Sequence, residues 1–171
     1  MIYDSNRIQQ WVDCGRVWAG NERPFLLLDI QMLGHAEAPL LGFEGVLAEM
    51  LCDEAEIENT SIFMTQCFAL STYWMFGLYE VIRKLKISRS VEDFYPLSYL
   101  FEDIEIIRMP LAKHEVKGAP RYRNKFHYPT PIRETGTGRV GWSVFDPRAE
   151  AMVTVFRPDL ADRFLSANGI D

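Results

Sequence analysis

The amino-acid sequence predicts a mainly α-helical bundle built on one long central helix, with a C-terminal β-hairpin and a short closing helix. Two observations lead to this prediction. A helical pattern runs without a break over residues 58–86, and the hydrophobic period changes from helical to alternating near residue 139. The 171 residues match the size of one domain. We therefore expect a single domain over 1–171.

The first third of the chain permits two interpretations. Ser5 or Asp4 can cap a short helix, and Asn21 followed by Pro24 can start a second helix that ends at Gly34. Alternation in residues 25–28 also permits a strand, so helix and strand both stay open over 5–35. Leu, Met and Gln outnumber β-branched residues here, which favours helix. A further helix is expected from Gly42 to Cys52.

The long helix is expected to begin at Glu58 or Asn59 and to end near Lys86, with basic residues at its negative end. Its residues 60–79 carry no charge and reach the length that spans a bilayer. They also include several Ser, Thr and Gln side chains, some of which share one helical face. We therefore predict a buried bundle helix and no membrane partner.

Prolines and a serine mark the next helix. Ser90 and Asp93 have the spacing of a helix cap, but Pro96 follows, so the helix is placed at about Pro96 to Arg108. Pro110 should kink or restart it, because proline lacks the backbone donor. The bundle is expected to fill residues 1–117.

The C-terminal part is expected to be a basic loop rich in Pro and Gly (118–138), a hairpin (about 139–156) and a closing helix that starts at Pro158. The run GTGRVG formally matches a dinucleotide-binding fingerprint. That motif needs a strand before it and a helix after it, whereas here a strand is predicted to follow. A turn that leads into the hairpin is therefore favoured.

Composition narrows the classes of function. The three cysteines are far apart and form no C-x-x-C pair, which argues against a disulfide framework and fits a reducing, cytoplasmic location. The three histidines show no ligand spacing, so neither a metal nor a cofactor is predicted.

Positive charge is concentrated in one segment of an acidic chain. The net charge is −6, yet residues 108–133 hold seven basic residues and one acidic residue. Such a segment is typical of sites for RNA, nucleotides or other phosphate-bearing partners. The predicted substrate-binding residues are Lys113, Lys117, Arg121, Arg123, Lys125 and His127.

Arg108 and His114 are the predicted catalytic pair, in the run RMPLAKH at the expected helix break. Cleavage of RNA without a metal needs a group that exchanges protons near neutral pH and a fixed cation on the phosphate. Histidine and arginine supply these two functions. Arg121 and His127 have the same spacing and form a rival pair.

The segments YEVIRKLK (79–86) and IRMPLAKHE (107–115) resemble the HEPN (higher eukaryotes and prokaryotes nucleotide-binding) superfamily over about residues 58–117. The resemblance implies a helical bundle that pairs as a homodimer, with Arg108 and His114 meeting their symmetry mates in a cleft. It implies a metal-independent endoribonuclease or an RNA- or nucleotide-binding protein. The alternative hypothesis is a dimeric interaction module without catalysis, which binds an acidic or phosphate-bearing partner through its basic loop.

Overall fold

A computed structural model describes residues 5–50, 57–113 and 128–167, with the side chains of 57–61 excepted. In these ranges the chain forms five helices and a three-stranded sheet, which confirms the mainly α-helical fold class. The helices are α1 (Ser5–Ala19), α2 (Pro24–Glu49), α3 (Ile57–Ser88), α4 (Val91–Lys113) and α5 (Arg157–Ser166). The strands are β1 (Thr130–Arg133), β2 (Val140–Asp146) and β3 (Ala151–Phe156).

The N-terminal third is helical, so the strand alternative for residues 25–28 is wrong. Two helices had been expected where the structure has the single helix α2, which passes through Gly34, Pro39 and Gly42. Gly34 is a packing position and not a helix end, because a Cβ there would lie 2.6 Å from the Trp11 side chain. Beyond Pro39, α2 buries Leu40 and Leu47 in the core, and this burial offsets the helix-breaking cost of proline.

Helix α3 confirms the long central helix and extends two residues past Lys86. It runs antiparallel to α2, because Lys84 near its end pairs with Asp29 while Phe63 near its start contacts Phe43. Among the described residues, no helix combines the length and the apolarity needed to cross a bilayer.

Helix α4 begins five residues before the predicted start. The Asp93 backbone N–H donates to Ser90 Oγ (3.2 Å), so the capping arrangement forms. Pro96 lies in the second turn, where its missing N–H leaves only the carbonyl of exposed Glu92 without its helical partner. The helix also continues through Pro110 to Lys113, so a restart at this proline was wrong.

The sheet is antiparallel in the order β1-β2-β3. The predicted hairpin is confirmed as β2 and β3, with Trp142 opposite Val155. Strand β1 lies inside the segment that had been expected to be loop. Its Pro131 is tolerated because β1 is an edge strand, where one side of the backbone needs no partner strand.

The core joins both ends of the chain. Trp11 of α1 stacks on Phe164 of α5 with ring centroids 5.5 Å apart and meets Trp74 of α3 edge to face. All three side chains are buried. The closing helix begins at Arg157, one residue before the predicted Pro158, and it completes the bundle against α1 and α4.

Candidate functional site: the predicted Arg–His pair, a buried ion cluster and an apolar groove

Arg108 lies on α4 with its guanidinium carbon 4.2 Å from the centre of the Tyr79 ring on α3. Its side chain is half-buried. Within the described part of the chain it has no carboxylate partner and makes no hydrogen bond. His114 lies outside the described residues, so the geometry of the predicted catalytic pair stays a prediction.

The structure describes one of the other predicted binding residues and leaves the rest outside the described ranges. Lys113 is exposed and is the last residue of α4. Lys117, Arg121, Arg123, Lys125 and His127 lie outside the described residues, and so does the rival Arg121–His127 pair.

A second cation lies on the aromatic cluster that carries Arg108. Lys86 Nζ is 4.2 Å from the centre of the Phe101 ring, and Phe101 stacks on Tyr79 at 5.3 Å. Cations above aromatic faces are held by the negative charge of the ring face. Lys86 was not among the predicted residues, because a lysine at the C-terminal end of a helix is already explained by its favourable interaction with the helix dipole.

Among the residues that the structure describes, the most buried charges form a cluster that was not predicted from the sequence. Arg157 and Glu37 are both 0% exposed, and Glu44 is 4% exposed. Arg157 Nη1 donates to Glu37 (3.1 Å), and its Nε and Nη2 donate to the two carboxylate oxygens of Glu44 (3.1 and 2.6 Å). The cluster therefore ties α5 to α2 through a bidentate contact.

Glu37 has further donors on α1. Arg7 donates to both of its oxygens at 2.9 Å, and Trp11 Nε1 donates at 2.6 Å. Burial acts to raise the pKa of Glu37, but the hydrogen bond from Arg7, the charges of Arg157 and Arg7, and the bond from Trp11 together lower this pKa below its usual range. The carboxylate is therefore held ionised.

This cluster stabilises the fold, and its buried charged groups already bind one another. Each buried carboxylate is neutralised by a guanidinium, and the Val140 backbone N–H adds a donor to Glu44 (3.3 Å). A signal was present in the sequence: Glu37 and Glu44 are seven residues apart with only apolar residues, proline and glycine between them, so both lie on one helical face. Their partner, 120 positions away from Glu37, had no comparable signal.

Cys14 and Cys67 are buried and unbridged, as expected for small core side chains. Burial raises the pKa of the Cys67 thiol to about 11, so this thiol stays protonated and is a poor nucleophile at neutral pH. Among the described residues, no group of three metal-binding side chains comes together.

An apolar groove of about 510 Å³ lies between α2 and α3. Its α2 wall includes the small residue Ala36 and its α3 wall includes Gly77, and on the same two walls Met32 and Tyr73 are 58% and 72% exposed. The Asp29–Lys84 ion pair (2.6 Å) closes one end. The groove also reaches the face of Trp74, whose Nε1 donates to the Leu33 carbonyl (3.0 Å).

The groove was not predicted, because its apolar residues are indistinguishable in the sequence from ordinary core positions of two largely apolar helices. Searches of protein-family models, curated proteins and solved structures found no match to this chain. The HEPN resemblance therefore stays a prediction.

Proposed function

We propose that this chain is a helical interaction module that binds an α-helical protein surface in the groove between α2 and α3. The observation that carries the proposal is the exposure of large apolar side chains, Met32 and Tyr73, along a concave surface. Contiguous exposed apolar surface marks sites where a protein partner or a ligand binds.

The shape of the groove favours a helix as the bound element. Its α2 wall carries Met32, Ala36 and Pro39 at spacings of four and three residues, and its α3 wall carries Leu70, Tyr73 and Gly77 at spacings of three and four. These spacings produce straight apolar stripes along both helices. An amphipathic helix presents the complementary stripe, and helix-in-groove binding is a common mode of recognition.

The accessibility of the groove can be tested with the apolar dye bis-ANS, which stands in for the apolar side of a helix. We expect the folded protein at low concentration to bind the dye and Ala36→Glu to weaken binding about tenfold, which corresponds to ~1.4 kcal/mol. The reason is that the new carboxylate would have to be desolvated under the dye. The measurement is a fluorescence titration.

The control is Tyr95→Glu, which places a carboxylate at another exposed site, on α4 and outside the groove. Tyr95→Glu should bind the dye as the unaltered protein does. Equal dye binding by Ala36→Glu and the unaltered protein would show that the groove is closed to ligands and would refute the proposal.

A second candidate function is RNA binding, with metal-independent cleavage by Arg108 and His114. One specific observation favours it: Arg108 is braced on the Tyr79 ring, and among the described residues nothing occupies its N–H donors, so they are available to a phosphate. The basic residues of 108–133 would add electrostatic attraction.

For this candidate we expect Arg108→Ala to weaken RNA binding in a filter-binding assay at low salt by about five- to tenfold, roughly 1–1.4 kcal/mol. The control is Arg83→Ala, because Arg83 is already paired with Glu80 at 2.8 Å. If cleavage occurs in EDTA, His114→Ala should abolish it. Identical binding by both arginine variants would exclude Arg108 from an RNA site.

A further inference from the structure

We infer that the partner in the α2–α3 groove is a second copy of this chain, related by a two-fold axis that runs parallel to both helices. This inference rests on the proposed function of the groove as a docking surface. It adds the identity of the partner and the geometry of the complex.

The first step is the arrangement of side chains on the two walls. Because α2 and α3 are antiparallel, Leu33 is level with the turn from Trp74 to Gly77: the Leu33 carbonyl accepts from Trp74, and a Cβ at Gly77 would lie 3.0 Å from the Leu33 side chain. Met32 therefore lies towards the Gly77 end of this turn. Ala36 lies towards the Tyr73 end.

These four residues form an alternating pattern. Met32 and Tyr73 protrude at two diagonal corners, and Ala36 and Gly77 leave two hollows at the other corners. On each helix the protruding residue and the hollow are four positions apart, or about 6 Å.

A surface of this kind is complementary to itself. A two-fold axis along the groove exchanges the α2 wall of one copy with the α3 wall of the other and keeps each residue at its level. Met32 of one copy then faces Gly77 of the other, and Tyr73 faces Ala36. Each protruding side chain enters a hollow, as knobs enter holes in packed helices.

The charges at the end of the groove select this axis. Asp29 and Lys84 lie at the same level on opposite walls. The axis parallel to the helices places Asp29 of each copy opposite Lys84 of the other, which gives a ring of four alternating charges. A two-fold axis across the helices would also match protrusions with hollows, but it would carry these charges to the far end of the groove, beside Pro39 and Leu70.

The inferred interface differs from the Arg–His cleft that the family resemblance implies. Tyr79, which carries Arg108, follows Tyr73 by six positions, or about 240° around α3. Arg108 therefore lies on the side of α3 away from the groove. A dimer formed through the groove keeps the two Arg108 side chains on its outer surfaces.

The test is charge complementation between chains, measured by sedimentation equilibrium over a range of protein concentrations. Asp29→Lys places a lysine opposite Lys84, and Lys84→Asp places an aspartate opposite Asp29. In each variant these like charges meet both within a chain and across the interface. We expect each variant alone to dimerise at least about tenfold more weakly than the unaltered protein. A mixture of the two should form mixed dimers, because only that pairing restores opposite charges.

Restoration in the mixture cannot arise within a chain, since each variant has lost its internal Asp29–Lys84 pair. The control is Asp13→Lys, which breaks an exposed pair with Arg16 on α1 and should leave the dimer unchanged. If the unaltered protein stays monomeric at all concentrations, or if the mixture fails to associate, the inference is overturned.

Cysteine cross-linking tests the direction of the axis in a Cys52→Ser background. A mixture of Ala36→Cys and Tyr73→Cys chains should form a disulfide-linked dimer under mild oxidation, whereas Ala36→Cys mixed with Met32→Cys should not. The reverse result would overturn the axis parallel to the helices.

The two proposals fail in different ways. If Ala36→Glu weakens dye binding but the protein is a monomer, the groove remains a docking surface and the second copy is excluded as its partner. If Ala36→Glu binds the dye as the unaltered protein does, the groove itself is excluded as a docking surface.

Discussion

At the scale of single residues, the buried Arg157 ties the closing helix α5 to α2. Its guanidinium lies between Glu37 and Glu44 of α2 and 5.5 Å from the centre of the Trp74 ring. A buried ion pair stabilises a protein little more than apolar side chains of the same volume would. Removal of one partner is nevertheless strongly destabilising, because the other charge then stays buried without a partner.

We therefore expect Arg157→Met to lower the free energy of unfolding by about 3–5 kcal/mol, since two buried carboxylates lose their shared cation. Urea denaturation followed by circular dichroism measures this loss. Adding Glu37→Gln and Glu44→Gln to the same chain should recover part of the stability, because the buried negative charge is then removed.

Arg83→Met serves as the comparison, because Arg83 is exposed and pairs with Glu80 on the same helix. It should leave the denaturation midpoint unchanged. A midpoint for Arg157→Met equal to that of Arg83→Met would contradict the account of the buried cluster.

At the scale of elements, the sheet docks onto α2 through the turn before β2. Gly138 adopts φ +70° there, and a Cβ on it would clash with the Glu44 carbonyl oxygen and lie 2.6 Å from Ala48 N. The turn and the helix can approach so closely only because residue 138 has no side chain. The contact brings the Val140 N–H to the Glu44 carboxylate.

Gly138→Ala should therefore destabilise the protein by about 3 kcal/mol or more, because backbone strain and a clash with the α2 backbone add together. Gly136→Ala is the matched variant. Gly136 also has a positive φ (+89°), but a Cβ there meets nothing within 4 Å, so only the strain of about 1–2 kcal/mol remains. Thermal or chemical unfolding of both variants gives the comparison, and equal losses would argue against the close approach.

At the scale of the whole molecule, the apolar groove and the two cations on the aromatic cluster lie on different surfaces. The apolar groove lies between α2 and α3, whereas Arg108 and Lys86 cap the aromatic cluster of α3 and α4. The α2–α3 groove and the cation-bearing face of α4 are therefore separate surfaces. Pairing through the groove would leave the cationic face free for a phosphate-bearing partner.

The sequence predicted most of the elements because their signals are local. The period of residues 58–86, the alternation near Trp142 and Val144, and the proline at the start of α5 each lie within one element. Errors arose where distant contacts outweighed a local breaker. Gly34 reads as a helix end, yet it is the position where Trp11 packs against α2.

By itself, the sequence determined the fold class, the central helix, the hairpin and the segment where basic residues concentrate, because periodicity and composition are properties of short stretches of chain. Only the tertiary structure decided that Glu37 and Glu44 share the cation of Arg157, and that Met32, Ala36, Tyr73 and Gly77 form one groove. These groupings depend on which helix faces fold against each other, and that pairing comes from packing between residues distant in the chain.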